Sequence, residues 1–297
     1  MLGRVIRYSP VALGIAGRLR MRDAWPRLRQ NATGGSDVKR RHTAAFAAGL
    51  GVGSLGGLVG LGGAEFRLPI LIAMFGFPPL EAVILNKAAS LATVASALPF
   101  RAGTVPWSDL FHHKDAILSL LGGSLIGAWF GAGWATRIGA QMLYRVLSLL
   151  LIVMAGALVL GHGVAGGVPL LAPPGLWLAG AVAGFAIGVV AAIMGVAGGE
   201  LLIPTFALLF GADLKLAGSL SLAVSLPTMV MAFARYSRDA SFATLARNGR
   251  FVLALAAGSV AGAFVGGKLV GVVDESLLLP LLALVLIVSA IKVWRHA

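Results

Sequence analysis

The stretch GLGGAEFRLPIL, Gly60 to Leu71, returns as GVAGGELLIPTF, Gly195 to Phe206, at a constant offset of 135 residues. Glu65 falls on Glu200 and Pro69 on Pro204. The register runs on without a gap, with Phe75-Gly76 on Phe210-Gly211, Ser90-Leu91 on Ser225-Leu226 and Thr93 on Thr228. It also holds upstream, with Gly49 on Gly184 and Gly53 on Gly188. Each copy breaks an apolar run with glycines, sets an acid at the break and resumes as a short apolar segment. Duplicated hydrophobic units, each with an interrupted helix, are the pattern of secondary transporters.

Composition points the same way. Hydrophobic residues make up 58% of the chain and charged residues 12%, about half the charge of an average soluble protein. Apolar runs near the membrane-spanning length of ~20 residues recur throughout, and the 41 glycines suit close helix packing in lipid. The expected fold is an all-α polytopic membrane protein. There is no cysteine, which excludes disulfides and thiolate metal sites. Of the net charge of +13, residues 1–42 supply +8, from ten Arg/Lys and two Asp. Next to a membrane this reads as a cytoplasmic tail facing anionic lipid rather than as a nucleic-acid arm.

Threading starts with that tail inside. Ten helical segments are expected, five per copy: 43–61, 66–77, 82–100, 116–134 and 142–160, then 176–194, 201–210, 216–234, 251–273 and 277–293. This divides the chain into the tail, 1–42, a first transmembrane repeat, 43–161, a Gly/Pro linker outside, 162–175, and a second repeat, 176–297. Alternating crossings put Arg137, Arg145, Arg235, Arg238, Arg247, Arg250, Lys292 and Arg295 on the tail's side, as the positive-inside rule requires. Both termini are then cytoplasmic. The loop from Arg101 to Lys114 fits less well, though Asp109 and Asp115 offset its cations. Five segments per copy is an odd number, so the second repeat is expected to enter from the other face, giving inverted repeats. Were the short segments re-entrant, each copy would cross four times and the inversion would vanish.

The second segment of each copy is only about 12 residues or ~18 Å long. Its proline is expected within the first turn, where a missing N–H costs little. Two short helices would then aim their N-termini at mid-depth and form an anion pocket. The candidate substrate-binding residues are Gly62, Gly63, Glu65, Arg67, Asn86, Lys87 and Ser90 in the first copy, with Gly198, Gly199, Glu200, Ser221 and Ser225 in the second. Glu65 and Glu200 read either as caps of their own short helices or as proton-linked gates. Arg67 and Lys87 face Leu202 and Leu222 in the other copy. For them the choice is between an internal ion pair or snorkelling and contact with an anionic substrate, for which a guanidinium is the better match. The serines either join helices or line a hydrated path. No metal set is complete, since His112-His113 lacks a third ligand, and no nucleophile elbow or phosphate loop occurs. No cofactor and no catalysis are expected.

The two glycine-rich breaks, GLGGAEFRLPIL with LNKAASL and GVAGGELLIPTF with AGSLSLAVSLP, resemble the TauE/SafE sulfite-exporter permease family over roughly residues 44–292. The resemblance implies movement of small sulfur-containing or organic anions across a bacterial cytoplasmic membrane, linked to an ion gradient. It implies that Gly60, Gly62, Gly63, Gly195, Gly198 and Gly199 line the substrate path. Ala64 and Ala197 depart from the family's usual glycine. The partners expected are a small anion and the lipid bilayer; a homo-oligomer is compatible with the sequence. A passive anion channel shares every one of these features except alternating access, and a non-transporting scaffold would not need the paired buried polar groups.

Overall fold

The computed structural model describes residues 35–59, 63–102, 112–160, 171–268 and 275–296. Among these residues the chain is helical throughout, with no strand. The helices are α1 (Gly35–Val59), α2 (Ala64–Ala73), α3 (Pro79–Ala102), α4 (Lys114–Ala135), α5 (Ala140–Leu160), α6 (Gly175–Met194), α7 (Gly199–Phe210), α8 (Leu214–Tyr236), α9 (Ala243–Arg247), α10 (Gly249–Lys268) and α11 (Glu275–Trp294). All ten expected segments are present. The short α9 was not expected. It follows a 3-10 turn over Ala240–Phe242, which Asp239 caps by accepting a hydrogen bond from Ser241 N at 2.8 Å. Helix α1 already runs from Gly35, upstream of the expected residue 43, because hydropathy marks where a helix meets lipid and not where its hydrogen bonds begin. Lys39, Arg40 and Arg41 thus belong to the helix.

Among the described residues, five helices are long and apolar enough to cross a membrane by length and composition, namely 114–135, 140–157, 175–194, 216–236 and 249–266. Helices α1 and α3 are longer still but carry charges, among them Arg41 and Lys87. Large apolar side chains, including Leu118, Phe130, Leu178, Val182 and Leu253, are exposed on the outer surface. Such a belt is unstable in water and fits hydrocarbon.

Packing between the two copies is reciprocal. Helix α1 lies along α10, α4 lies along α6, and α5 meets α11. Glycines set the first two contacts. A Cβ at Gly49 would stand 2.2 Å from Leu255 O and one at Gly53 2.2 Å from Ser259 O. At the matching positions, a Cβ at Gly184 would stand 2.2 Å from Leu120 O and one at Gly188 2.3 Å from Ser124 O. Every residue here maps on its counterpart at the same 135-residue offset, so two backbones touch twice by one rule. Lipid gives no hydrophobic drive between helices, and close backbone approach replaces it.

The far ends of the short helices lie in different regions of the molecule. Past α2, Glu81 shares a cavity wall with Val38 and Arg250. Past α7, Phe210 and Ala212 pack with Ala116 and Leu176.

Candidate functional site

Both short helices begin from a glycine in the left-handed region, Gly63 at φ 71° and Gly198 at φ 82°. Only glycine holds that conformation without strain. The N-cap residue of each is this glycine, which has no side chain to offer as a cap. Glu65 and Glu200 lie inside the first turn, each carboxyl near its own amide, where the positive end of the dipole favours them. The prolines also sit deeper than expected. Pro69 and Pro204 are in the second turn, each four residues after its glutamate. The carbonyls of Glu65 and Glu200 are thereby denied the N–H that an unbroken helix would supply. Gly62 and Gly60 lie outside the described residues.

The two glutamates come together. Each carboxyl faces the other and its own amide, yet none of the four oxygens meets a donor at bonding geometry. Both are buried. A hydrogen bond joins the pair only when one of the two carries a proton.

Arg67 is 1% exposed. Its Nε donates to Asn86 Oδ1 at 2.9 Å, Nη1 to Ser259 Oγ at 2.8 Å and Nη2 to Ser90 Oγ at 2.9 Å. All three partners are neutral. Glu65 acts on Arg67 through space, but among the described residues the ion-pair contact is Arg247 with Glu81, not Arg67 with Glu65. The expected internal ion pair is therefore absent as a contact. Two donors of the fork, one N–H on each Nη, remain beyond these bonds.

Lys87 does not snorkel. Its Nζ donates to Ala191 O and Val196 O, both at 2.8 Å, and the side chain is 1% exposed. It thus closes the C-terminal end of α6, where carbonyls lack partners and the dipole is negative. Tyr236 adds a bond to Ala192 O at 3.0 Å. Asn86 Nδ2 donates to Ala64 O at 3.0 Å and Met194 O at 3.3 Å, and so ties the start of α2 to the break of the other copy. A Cβ at Gly195 would stand 2.4 Å from Val83 O, which leaves no room for a side chain between α3 and that break.

The remaining candidates spread along α3 and α8. Ser90 Oγ donates to Gly195 O at 3.4 Å in addition to receiving Arg67. Ser221 bonds within its own helix, to Gly218 O at 2.8 Å, and Ser225 is buried. Gly199 is the first residue of α7, next to the break. The residues brought into one bonded cluster are thus Arg67, Asn86, Ser90 and Ser259, with Glu65 acting on Arg67 through space and Glu200 reaching Glu65 from the start of α7. Ser259 was not expected. Its signal was available, because Gly258-Ser259 repeats Gly123-Ser124 at the same offset. In the other copy Ser124 Oγ meets Thr228 Oγ1 at 2.6 Å, and Leu202 occupies the place of Arg67.

The family model described as sulfite exporter TauE/SafE matches residues 44–293. No curated protein and no solved structure matches the chain.

Proposed function

The chain belongs to the TauE/SafE sulfite-exporter family, whose members are membrane transporters and not enzymes, and on that premise we propose that it moves a small oxyanion by alternating access. The substrate class is sulfite, a sulfonate or a related sulfur or organic oxyanion. The observation that carries this reading is Arg67: a guanidinium sealed from solvent, held by three neutral groups, with an N–H on each Nη left over. A planar fork of that kind suits an oxyanion. The anion also supplies the countercharge that a buried cation needs. Glu65, Asn86, Ser90 and Glu200 complete the site, and Gly62, Gly63, Gly198 and Gly199 let the backbone approach it. Ser221 and Ser225 line the path along α8, and Lys87 caps the break of α6 beside it.

The Glu65–Glu200 pair is the coupling element. A proton held between the two carboxyls leaves with, or is exchanged against, the anion at Arg67. Closure of the site to solvent supports a carrier over a channel. The two repeats, 43–161 and 176–297, work as inverted halves joined by 162–175. The reciprocal helix contacts and the divergent ends of α2 and α7 support this. The protein is a multi-pass membrane protein; the bacterial cytoplasmic membrane, with both termini and the basic tail 1–42 inside, fits its charge distribution.

The test is sulfite uptake into proteoliposomes of purified protein, with and without an imposed pH gradient. Saturable uptake with counterflow, accelerated by the gradient, is expected. Uptake that is linear in concentration and shows no counterflow would mean a channel, and no uptake of any oxyanion tried would end the reading.

A further inference from the structure

A second set of cations gathers away from Arg67. A cavity of about 820 Å³ opens where α1, α3, α9 and α10 meet. Arg41, His42, Arg247 and Arg250 line it, with Glu81 as the one carboxylate among its lining residues. Glu81 is already engaged, accepting a hydrogen bond from Thr244 Oγ1 at 2.8 Å and lying 4.0 Å from Arg247. Helix α10 starts here, at Gly249, so its positive end faces the cavity as well.

One residue of the lining, Phe251, is aromatic and leads into a cluster of buried rings. Arg41 lies over the rings of Phe77 and Phe251, at 5.2 and 5.3 Å. Phe251 in turn packs edge-on against Phe75, with centroids 4.8 Å apart, and against Phe77 at 5.4 Å. All three rings are buried. Beneath them lies the Arg67 cluster. Along α10, Ser259 stands two turns beyond Phe251, about 12 Å at 1.5 Å per residue. Along α3, Asn86 and Ser90 stand about 8–14 Å beyond Glu81.

The geometry points to a second oxyanion site in this cavity, taking a sulfate- or phosphate-like group between Arg41, Arg247 and Arg250. Three guanidiniums lining one space, with a single acid that is otherwise bonded, favour a tetrahedral oxyanion, which a planar fork can hold by paired hydrogen bonds, over chloride. Two sources carry that chemistry: a free oxyanion and the phosphate of an acidic phospholipid. If the occupant is the free anion, the cavity is a collecting station one aromatic layer from Arg67. That station role rests on the transport reading, whereas the binding does not.

The experiment is calorimetric titration of sodium sulfate into the full chain in nanodiscs of phosphatidylcholine, at constant ionic strength with sodium chloride. It is made in the Arg67→Leu background, so that only the cavity reports. Sulfate is expected to bind there. Arg247→Gln with Arg250→Gln is expected to weaken it at least tenfold. Both side chains are exposed, so this variant keeps the fold. Arg41→Gln is expected to act in the same direction, with its thermal melting recorded alongside. Absence of sulfate binding in Arg67→Leu, or binding unchanged in both cavity variants, would overturn the proposal. Repeating the titration with phosphatidylglycerol in the disc separates the sources: competition by that lipid identifies a headgroup site, and unchanged affinity a free-anion site. Failure of the transport reading is seen separately, in proteoliposome uptake, and leaves this equilibrium measurement intact.

Discussion

At the scale of single residues, Arg67 decides most. The second copy has leucine at that position, so the fold already accommodates an aliphatic side chain there. Arg67→Leu should insert into the membrane and fold. It should lose sulfite uptake, since each charge-assisted hydrogen bond to the anion is worth about 1.5–3 kcal/mol, or at least a tenfold change in affinity. Equal affinity for sulfite in the variant would remove Arg67 from the site. The glutamate pair makes a different prediction. In Glu65→Gln or Glu200→Gln the amide N–H donates to the remaining carboxylate, so the contact survives while the exchangeable proton is lost. Melting should shift little, and an imposed pH gradient should no longer accelerate uptake. Gradient-driven uptake equal to wild type in both variants would exclude the pair from coupling. Glu65, Arg67, Asn86 and Ser90 were legible in the sequence because a polar or charged residue in an apolar run has a desolvation cost that something must offset. Ser259 was not, because a serine beside a glycine in a membrane helix reads as packing. Only its register with Ser124 marks it, and its bond to Arg67 depends on a tertiary contact between α2 and α10.

At the scale of elements, the glycines separate into those that touch a neighbouring backbone and those that do not. Gly53 and Gly188 are of the first kind, Gly51 and Gly122 of the second, with nothing within 4 Å of an added Cβ. Gly53→Ala or Gly188→Ala must push α1 from α10 or α4 from α6. Each should lower the melting temperature markedly, in the range of about 1–3 kcal/mol for overpacking. Gly51→Ala and Gly122→Ala should be neutral or stabilising by up to about 1 kcal/mol, from helix propensity alone. A thermal-melt series on the four variants checks this, and four equal effects would contradict it. The two short helices were visible from the sequence, but their starts were not. Glycine composition marks a break without saying which glycine turns left-handed, and here the last one does so in the first copy. The helix therefore begins one residue before Glu65, and the proline falls in the second turn. The acids are consequently held inside the first turns of two helices, which is what brings two residues far apart in sequence together.

At the scale of the whole molecule, the decisive question is whether the second repeat enters the membrane from the opposite face. Helix count alone does not answer it, because it turns on whether α2 and α7 complete a crossing. The charges bear on it indirectly. Arg235 and Arg238 both lie over Trp129, Tyr144 lies against His296, and Val38, Glu81 and Arg250 share one cavity. Pro78 and Asp213 are the most direct probes. They are equivalent at the 135-residue offset, both are exposed, and each follows a short helix. In an inverted protein they emerge on opposite sides; in a parallel duplication they emerge together. The chain contains no cysteine, so single Pro78→Cys and Asp213→Cys variants need no prior removal of thiols. Replacing Asp213 forfeits its bond to Leu216 N, a cap worth about 1 kcal/mol and small enough to leave the fold intact. A membrane-impermeant maleimide applied to intact cells should label the 213 variant and spare the 78 variant, and in inside-out vesicles the order should reverse. Labelling of both from one side would remove the inversion. The two-sided access proposed for the Arg67 site would go with it, because inversion is what gives one site a route to each face.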